Sequence, residues 1–178
     1  MLFRSTVTVG TPTYSVAGGI TRDADTAISF NGTTHDLQVP DSAGLNFANG
    51  PVSVHAWVKR SSLTGVLQFV LFRGVNAYAI GFGTGNKFFL AKANVAQVVT
   101  ESGTTTDTGT YHYFVATYAG TGSGNAKIYK DGIDVSAYIA DQTLANPAAV
   151  SLGIANSGAG GTLRFPGTLD EIAIHGAV

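Results

Sequence analysis

The chain has 178 residues, of which 44% are hydrophobic and only 12% charged, with a formal net charge of −1 and no cysteine. That length suits one domain with a real core. The balance leaves no basic face for a phosphate backbone, which excludes nucleic acid as a partner. The missing cysteines exclude a disulfide framework and thiolate metal sites, and no apolar run is long enough for a membrane-spanning helix.

Twenty-three glycines, set among Thr, Val, Ser and Ala with few Glu, Lys and Leu, argue against helices. In chain order, strands are predicted at Thr6–Val9, Thr26–Phe30, Asp36–Val39, Val52–Lys59, Val66–Arg73, Ala77–Phe82, Lys87–Ala91 and Ala96–Thr100. The second half adds Tyr111–Tyr118, Ala126–Lys130, Ile133–Tyr138, Ala149–Ile154 and Gly167–His175. Gly85-Asn86 and Asp131-Gly132 separate apolar runs with residues that accept positive φ, so both mark hairpins. Only Asp41–Asn49 reads as a short helical turn. Short strands with this punctuation predict an all-β sandwich of two antiparallel sheets, built as one unit from residues 1–178.

Five segments carry a further signal. They are Ala27–Pro40, Val52–Lys59 around Trp57, Tyr111–Gly120, Ala126–Gly132 with its Asp131-Gly132, and Phe165–Val178 with its Asp170-Glu171. In that order they resemble the laminin-G-like, concanavalin A-like lectin/glucanase family, over roughly residues 10–178. Tyr111 stands where that family often has Trp, and Lys130 where Val is usual. The resemblance implies a jelly-roll sandwich and a domain excised from a larger extracellular, cell-surface or virion protein. The segment Val9–Ile20 followed by Asp23-Ala24-Asp25 is similar to the opening of such domains in phage tail proteins.

Glucanases of related fold carry their acids on one strand as Glu-x-Asp-x-x-Glu, for a nucleophile and a general acid. This chain has two glutamates, Glu101 in a Ser-Gly-Thr loop and Glu171 beside Asp170. Adjacent strand residues point to opposite faces, so Asp170 and Glu171 cannot flank one bond. The four histidines lack ligand spacing, and no serine sits in a nucleophile elbow. The sequence therefore points away from an enzyme.

Straight alternation in the last strand puts Leu169, Glu171, Ala173 and His175 on one face, with Asp170, Ile172 and Ile174 on the other. Asp170 needs a partner there. Either it accepts hydrogen bonds from backbone amides or it ligates a cation. The resemblance implies the second as structural calcium, held by Asp170, the Gly32 carbonyl and Asn31 or Asp25. Trp57 shares a face with Ser53, His55 and Lys59, where it is a core residue or a platform for sugar stacking. Arg73, Asn76 and Tyr78 form a second candidate carbohydrate patch around a hairpin, where Arg and Asn would bond hydroxyls. Tyr111, Tyr113 and Tyr118 read as core packing. The expected function is non-catalytic recognition or adhesion with a glycan as partner; the alternative is a module packed against a neighbouring surface or virion protein.

Overall fold

The computed structural model describes residues 7–20, 24–147, 149–158 and 161–177. Thr6, the expected start of the first strand, and Asp23 lie outside them. In chain order the strands are β1 (Val7–Val9), β2 (Thr13–Val16), β3 (Ala27–Asn31), β4 (Asp36–Val39), β5 (Val52–Arg60), β6 (Gln68–Phe72), β7 (Tyr78–Phe82) and β8 (Phe88–Lys92). They continue as β9 (Ala96–Glu101), β10 (His112–Tyr118), β11 (Ala126–Lys130), β12 (Ile133–Asp134), β13 (Ser136–Tyr138), β14 (Leu152–Ile154) and β15 (Pro166–His175). The one helical piece among the described residues is a 3-10 turn at Ala43–Leu45, inside the expected segment.

Two antiparallel sheets result. The eight-stranded sheet runs β1-β4-β14-β6-β7-β8-β9-β13, and the seven-stranded sheet runs β12-β11-β10-β5-β15-β3-β2. The run expected as one strand at Ile133–Tyr138 is divided between them at Val135. Its N–H donates to Ile128 on one sheet, and its carbonyl accepts from Ser102 on the other. Strand β2 was not expected, because Thr13–Val16 is short and mostly exposed. Both hairpins form as predicted, with Asn86 at φ 57° and Asp131 and Gly132 at φ 52° and 82°.

Alternation in β5 is regular, with Val52, Val54, Ala56, Val58 and Arg60 buried and the residues between them partly exposed. These side chains meet Ile80, Phe82, Phe88 and Leu90 from the opposite sheet in one continuous core. Phe88 and Phe114 stack at 4.1 Å across the sandwich, and Phe82 meets both rings edge-on. Burying an aromatic ring of this size is worth roughly 2–3 kcal/mol, so this trio is a principal contact between the sheets.

The last strand departs from straight alternation. Asp170 pairs with Trp57, but Ala173 pairs with His55, so two residues of β15 oppose Ala56 alone. This is a β-bulge, and Glu171 takes the left-handed φ of 48° within it. The extra residue turns Leu169 and Ile174 both inward, at 2% and 3% exposure, and leaves Asp170, Ala173 and His175 on the outer face. The sequence reading had Leu169 and His175 together, and the bulge corrects it.

Left-handed backbone disfavours a side chain, most of all a β-branched one. Glu171→Gly is expected to raise stability by about 1 kcal/mol and Glu171→Val to lower it by at least about 1 kcal/mol. Urea unfolding midpoints at constant m check both; a neutral valine would contradict the bulge geometry.

Candidate functional site

The outer face of the seven-stranded sheet collects the side chains that the core rejects. Register sets three rows across it: Asp170, Trp57 and Tyr113; then Ala173, His55, Val115 and Tyr129; then His175, Ser53, Thr117 and Lys127. Trp57 is partly exposed and tilted against Tyr113 at 5.2 Å, and Tyr113 meets His55 at 5.6 Å. His55 in turn contacts His175 through their Nε2 atoms at 3.1 Å. Lys59 sits with Nζ 4.5 Å above the Tyr111 ring, whose hydroxyl donates to the Ala17 carbonyl at 2.7 Å.

The segment after β2 folds onto this face and is tied there by Asp170. The Gly19 N–H donates to Asp170 Oδ2 at 2.8 Å, and the Glu171 N–H donates to Oδ1 at 3.1 Å. The close approach explains two consecutive glycines. A Cβ at Gly18 would lie 2.5 Å from the Asp170 carboxylate, and one at Gly19 would lie 2.8 Å from the indole ring. Gly19 thus covers part of Trp57 with backbone alone. The Gly18-Gly19 pair and the Asp170-Glu171 pair are the sequence signals that, read together, could have located this contact.

Asp170 thus makes the backbone hydrogen bonds of the first reading. Of the oxygens that the calcium reading implies, those of Gly32 and Asn31 do not converge on it. Gly32 packs on Pro166, and Pro166 pairs with Asn31, four residues along β15 from Asp170; that is about 13 Å of extended strand. Asn31 Oδ1 is occupied by the N–H groups of Thr33, Thr34 and His35, at 2.9–3.1 Å. The Asp25 carbonyl does come near, 3.6 Å from the same Gly18 Cβ position that lies 2.5 Å from the Asp170 carboxylate. Asp170, Gly32 and Asn31 thus cannot form one coordination sphere, and among the described residues no group of three or more His, Cys, Asp or Glu could hold a metal ion.

The second patch is corrected as well. Arg73 has 0% exposure and donates to the carbonyls of Leu45 and Val150, to Asn46 Oδ1 at 2.7 Å and to the Asp41 carboxylate. Tyr78 is buried with its hydroxyl on the Leu45 carbonyl, and burial pushes its ionisation well above the ordinary range. Both side chains bind the Ala43–Leu45 turn to the eight-stranded sheet, so neither reaches a sugar. Asn76 remains exposed at φ 65°, with its backbone joined to Ala93 and Ala145. Of the tyrosines read as core, Tyr118 is buried, but Tyr111 and Tyr113 have the opposite phase and lie on the outer face.

Acidic groups elsewhere are committed. Glu101, 3% exposed, accepts from the Phe88 N–H and the Thr105 hydroxyl. Asp36 is bound by Arg164 at 3.0 Å. Asp107 and Asp131 converge beside β10, but the His112 ring sits between them at 2.7 and 2.6 Å and fills the gap a substrate would need. That hydrogen bond holds the Asp107 carboxyl below the usual carboxylate range.

The opposite face of the molecule carries a shallow cavity of about 200 Å³ over Leu67, Phe69, Phe89 and Leu163, rimmed by Lys92 and Gln97. Its floor belongs to a small apolar cluster on the outer face of the eight-stranded sheet.

A family model described as the concanavalin A-like lectin/glucanases superfamily, of laminin G type, matches residues 31–178. Among solved structures, domain 4 of AbnA, a GH43 extracellular arabinanase from Geobacillus stearothermophilus in complex with arabinotriose, is similar with a TM-score of 0.63. It is 21% identical over 93% of this chain and 75% of that one. A Trypanosoma rangeli sialidase variant with trans-sialidase activity gives 0.60 at 14% identity, over 95% of this chain and 27% of that one. Mouse laminin alpha1 domains LG4-5 give 0.55 at 11% identity, over 83% and 40%. The chain thus spans about a quarter of the sialidase, and at these identities the likeness concerns the fold. Curated protein sequences give no significant match.

Gly19→Ala should push the covering segment off the indole. The expected outcome is a red-shifted Trp57 emission and a loss of about 1–2 kcal/mol of stability. An unchanged emission maximum would contradict the contact.

Proposed function

The chain belongs to the concanavalin A-like lectin/glucanases superfamily, and from that premise we propose that it is a non-catalytic carbohydrate-recognition module acting outside the cell. One observation carries the reading: the partly exposed Trp57–Tyr113 pair lies on a sheet face flanked by hydrogen-bonding side chains. Aromatic rings stack on the C–H faces of sugars, while His55, His175, Ser53 and Lys127 supply donors and acceptors for hydroxyls. A flat sheet face suits an extended oligosaccharide better than a deep pocket would. The likeness to an arabinanase domain in complex with arabinotriose supports arabinotriose as the first ligand to try.

The state of the acids supports the non-catalytic reading. Glu101, Asp36 and Asp170 are buried in hydrogen bonds, and Asp107 and Asp131 are bridged by His112. None of these is poised to exchange a proton across a glycosidic bond.

A second reading, packing against a protein neighbour, is favoured by the other face, where Val95 is 55% exposed beside the apolar cavity. The two readings use opposite sheets.

Calorimetric titration with arabinotriose and a panel of gluco-, xylo-, galacto- and sialo-oligosaccharides tests the proposal. Binding by one ligand class is expected, weakened about tenfold or more in Trp57→Ala, equivalent to about 1.4 kcal/mol. No binding anywhere in the panel, or full affinity in the variant, would overturn it.

A further inference from the structure

His55 and His175 come from different strands and stand on a diagonal of the outer face, because Ala173 opposes His55 and His175 opposes Ser53. Their Nε2 atoms lie 3.1 Å apart, the ring planes differ by 11°, and the ring centres are 5.2 Å apart. That separation is nearly the nitrogen distance plus both ring radii, so the imidazoles meet end to end. One nitrogen donates and the other accepts, and the pair holds a single proton between them.

We propose that this pair is a binding site for a borderline divalent transition cation, Cu2+ before Ni2+ or Zn2+, with water or a ligand's hydroxyls completing the shell. Two nitrogens each about 2.0–2.1 Å from one ion lie about 2.9–3.4 Å apart when the angle at the metal is between square and tetrahedral. The observed 3.1 Å falls inside that interval. Because the rings meet end to end, the exposed His175 side chain swings its Nε2 off the His55 axis so that both lone pairs meet at one ion, which then replaces the shared proton. His175 is free to make that swing, since it is exposed near the end of β15.

The other nitrogen of His55, Nδ1, is buried without a hydrogen-bond partner, so this ring meets the pair through Nε2 alone. The Glu171 carboxylate adds negative charge to this face and contributes to raising the Tyr113 hydroxyl, after burial. Of the cations on this face, Lys59 is held over Tyr111 and Lys127 is paired with Asp134 at 3.1 Å. His112 offers no comparable site, because Asp131 and Asp107 occupy its two nitrogens from opposite sides of the ring.

The sequence contains one tryptophan, and it reports on the site. Tyr113 contacts both Trp57 and His55, so a paramagnetic ion at the pair quenches the indole emission. Cu2+ titrated at pH 7, with no sugar present, is expected to give saturable quenching at one equivalent that a chelator reverses. Electron paramagnetic resonance should show superhyperfine coupling to two nitrogens, and excess Zn2+ should displace the copper. His175→Ala, checked for fold by circular dichroism, should weaken binding about tenfold or more and leave one coupled nitrogen, whereas His112→Ala should change neither. Quenching that never saturates, that persists unaltered in His175→Ala, or that disappears in His112→Ala would overturn the site. The titration is independent of the carbohydrate reading, which fails or stands on its own panel.

Discussion

One extra residue in β15 decides which way the end of the chain faces. With Leu169 in the core, a regular strand would bury Glu171 and His175 and expose Ile172 and Ile174. Returning Ile174 to water costs about 2 kcal/mol, and an unpaired buried carboxylate costs several more. Placing Glu171 in the left-handed region costs only about 1–2 kcal/mol. The bulge therefore wins, and its consequences reach both sides of the sheet. Inward, Leu169 and Ile174 join the core beside Val54 and Val58. Outward, Asp170 meets Trp57 and captures the Gly19 N–H, while His175 reaches His55.

Polar groups are handled differently in the interior of the sandwich and on its outer face. In the eight-stranded sheet the guanidinium of Arg73 is wholly buried and satisfied by backbone carbonyls and the side chains of Asn46 and Asp41. It serves as an internal brace for the Ala43–Leu45 turn. Arg60 does similar work at the end of β5, donating to Gln68, Asn86 and the Thr105 carbonyl from a site 3% exposed. On the outer face of the seven-stranded sheet the polar groups stay partly hydrated and close to aromatic rings. That mixture of accessible rings and unburied donors is what a carbohydrate surface needs.

Much of the framework was legible because it rests on local rules. The alternation of Val52, Val54, Ala56 and Val58 placed Trp57 and His55 together on one face, and the structure makes that face the outer one. Asp131-Gly132 and Gly85-Asn86 announced their hairpins through residues that tolerate positive φ. What failed depended on long-range neighbours. An arginine between Phe72 and Gly74 looks solvated until Leu45, Val150 and Asp41 close around it. The fate of Asp170 turned on a glycine 151 residues away, and a bulge leaves no mark in periodicity other than the phase it breaks. The outward phase of Tyr111 and Tyr113 relative to Tyr118 was readable from odd and even spacing alone.

The central claim is that this bulge-organised face of the seven-stranded sheet is the ligand surface. Mapping amide and tryptophan side-chain chemical shifts during titration with arabinotriose addresses it most directly. The account predicts saturable shifts concentrated at Ser53, His55, Trp57, Tyr113 and Ala173, with the Arg73–Tyr78 hairpin silent. Shifts centred instead on that hairpin, or on Phe69, Phe89 and Leu163 across the sandwich, would contradict it.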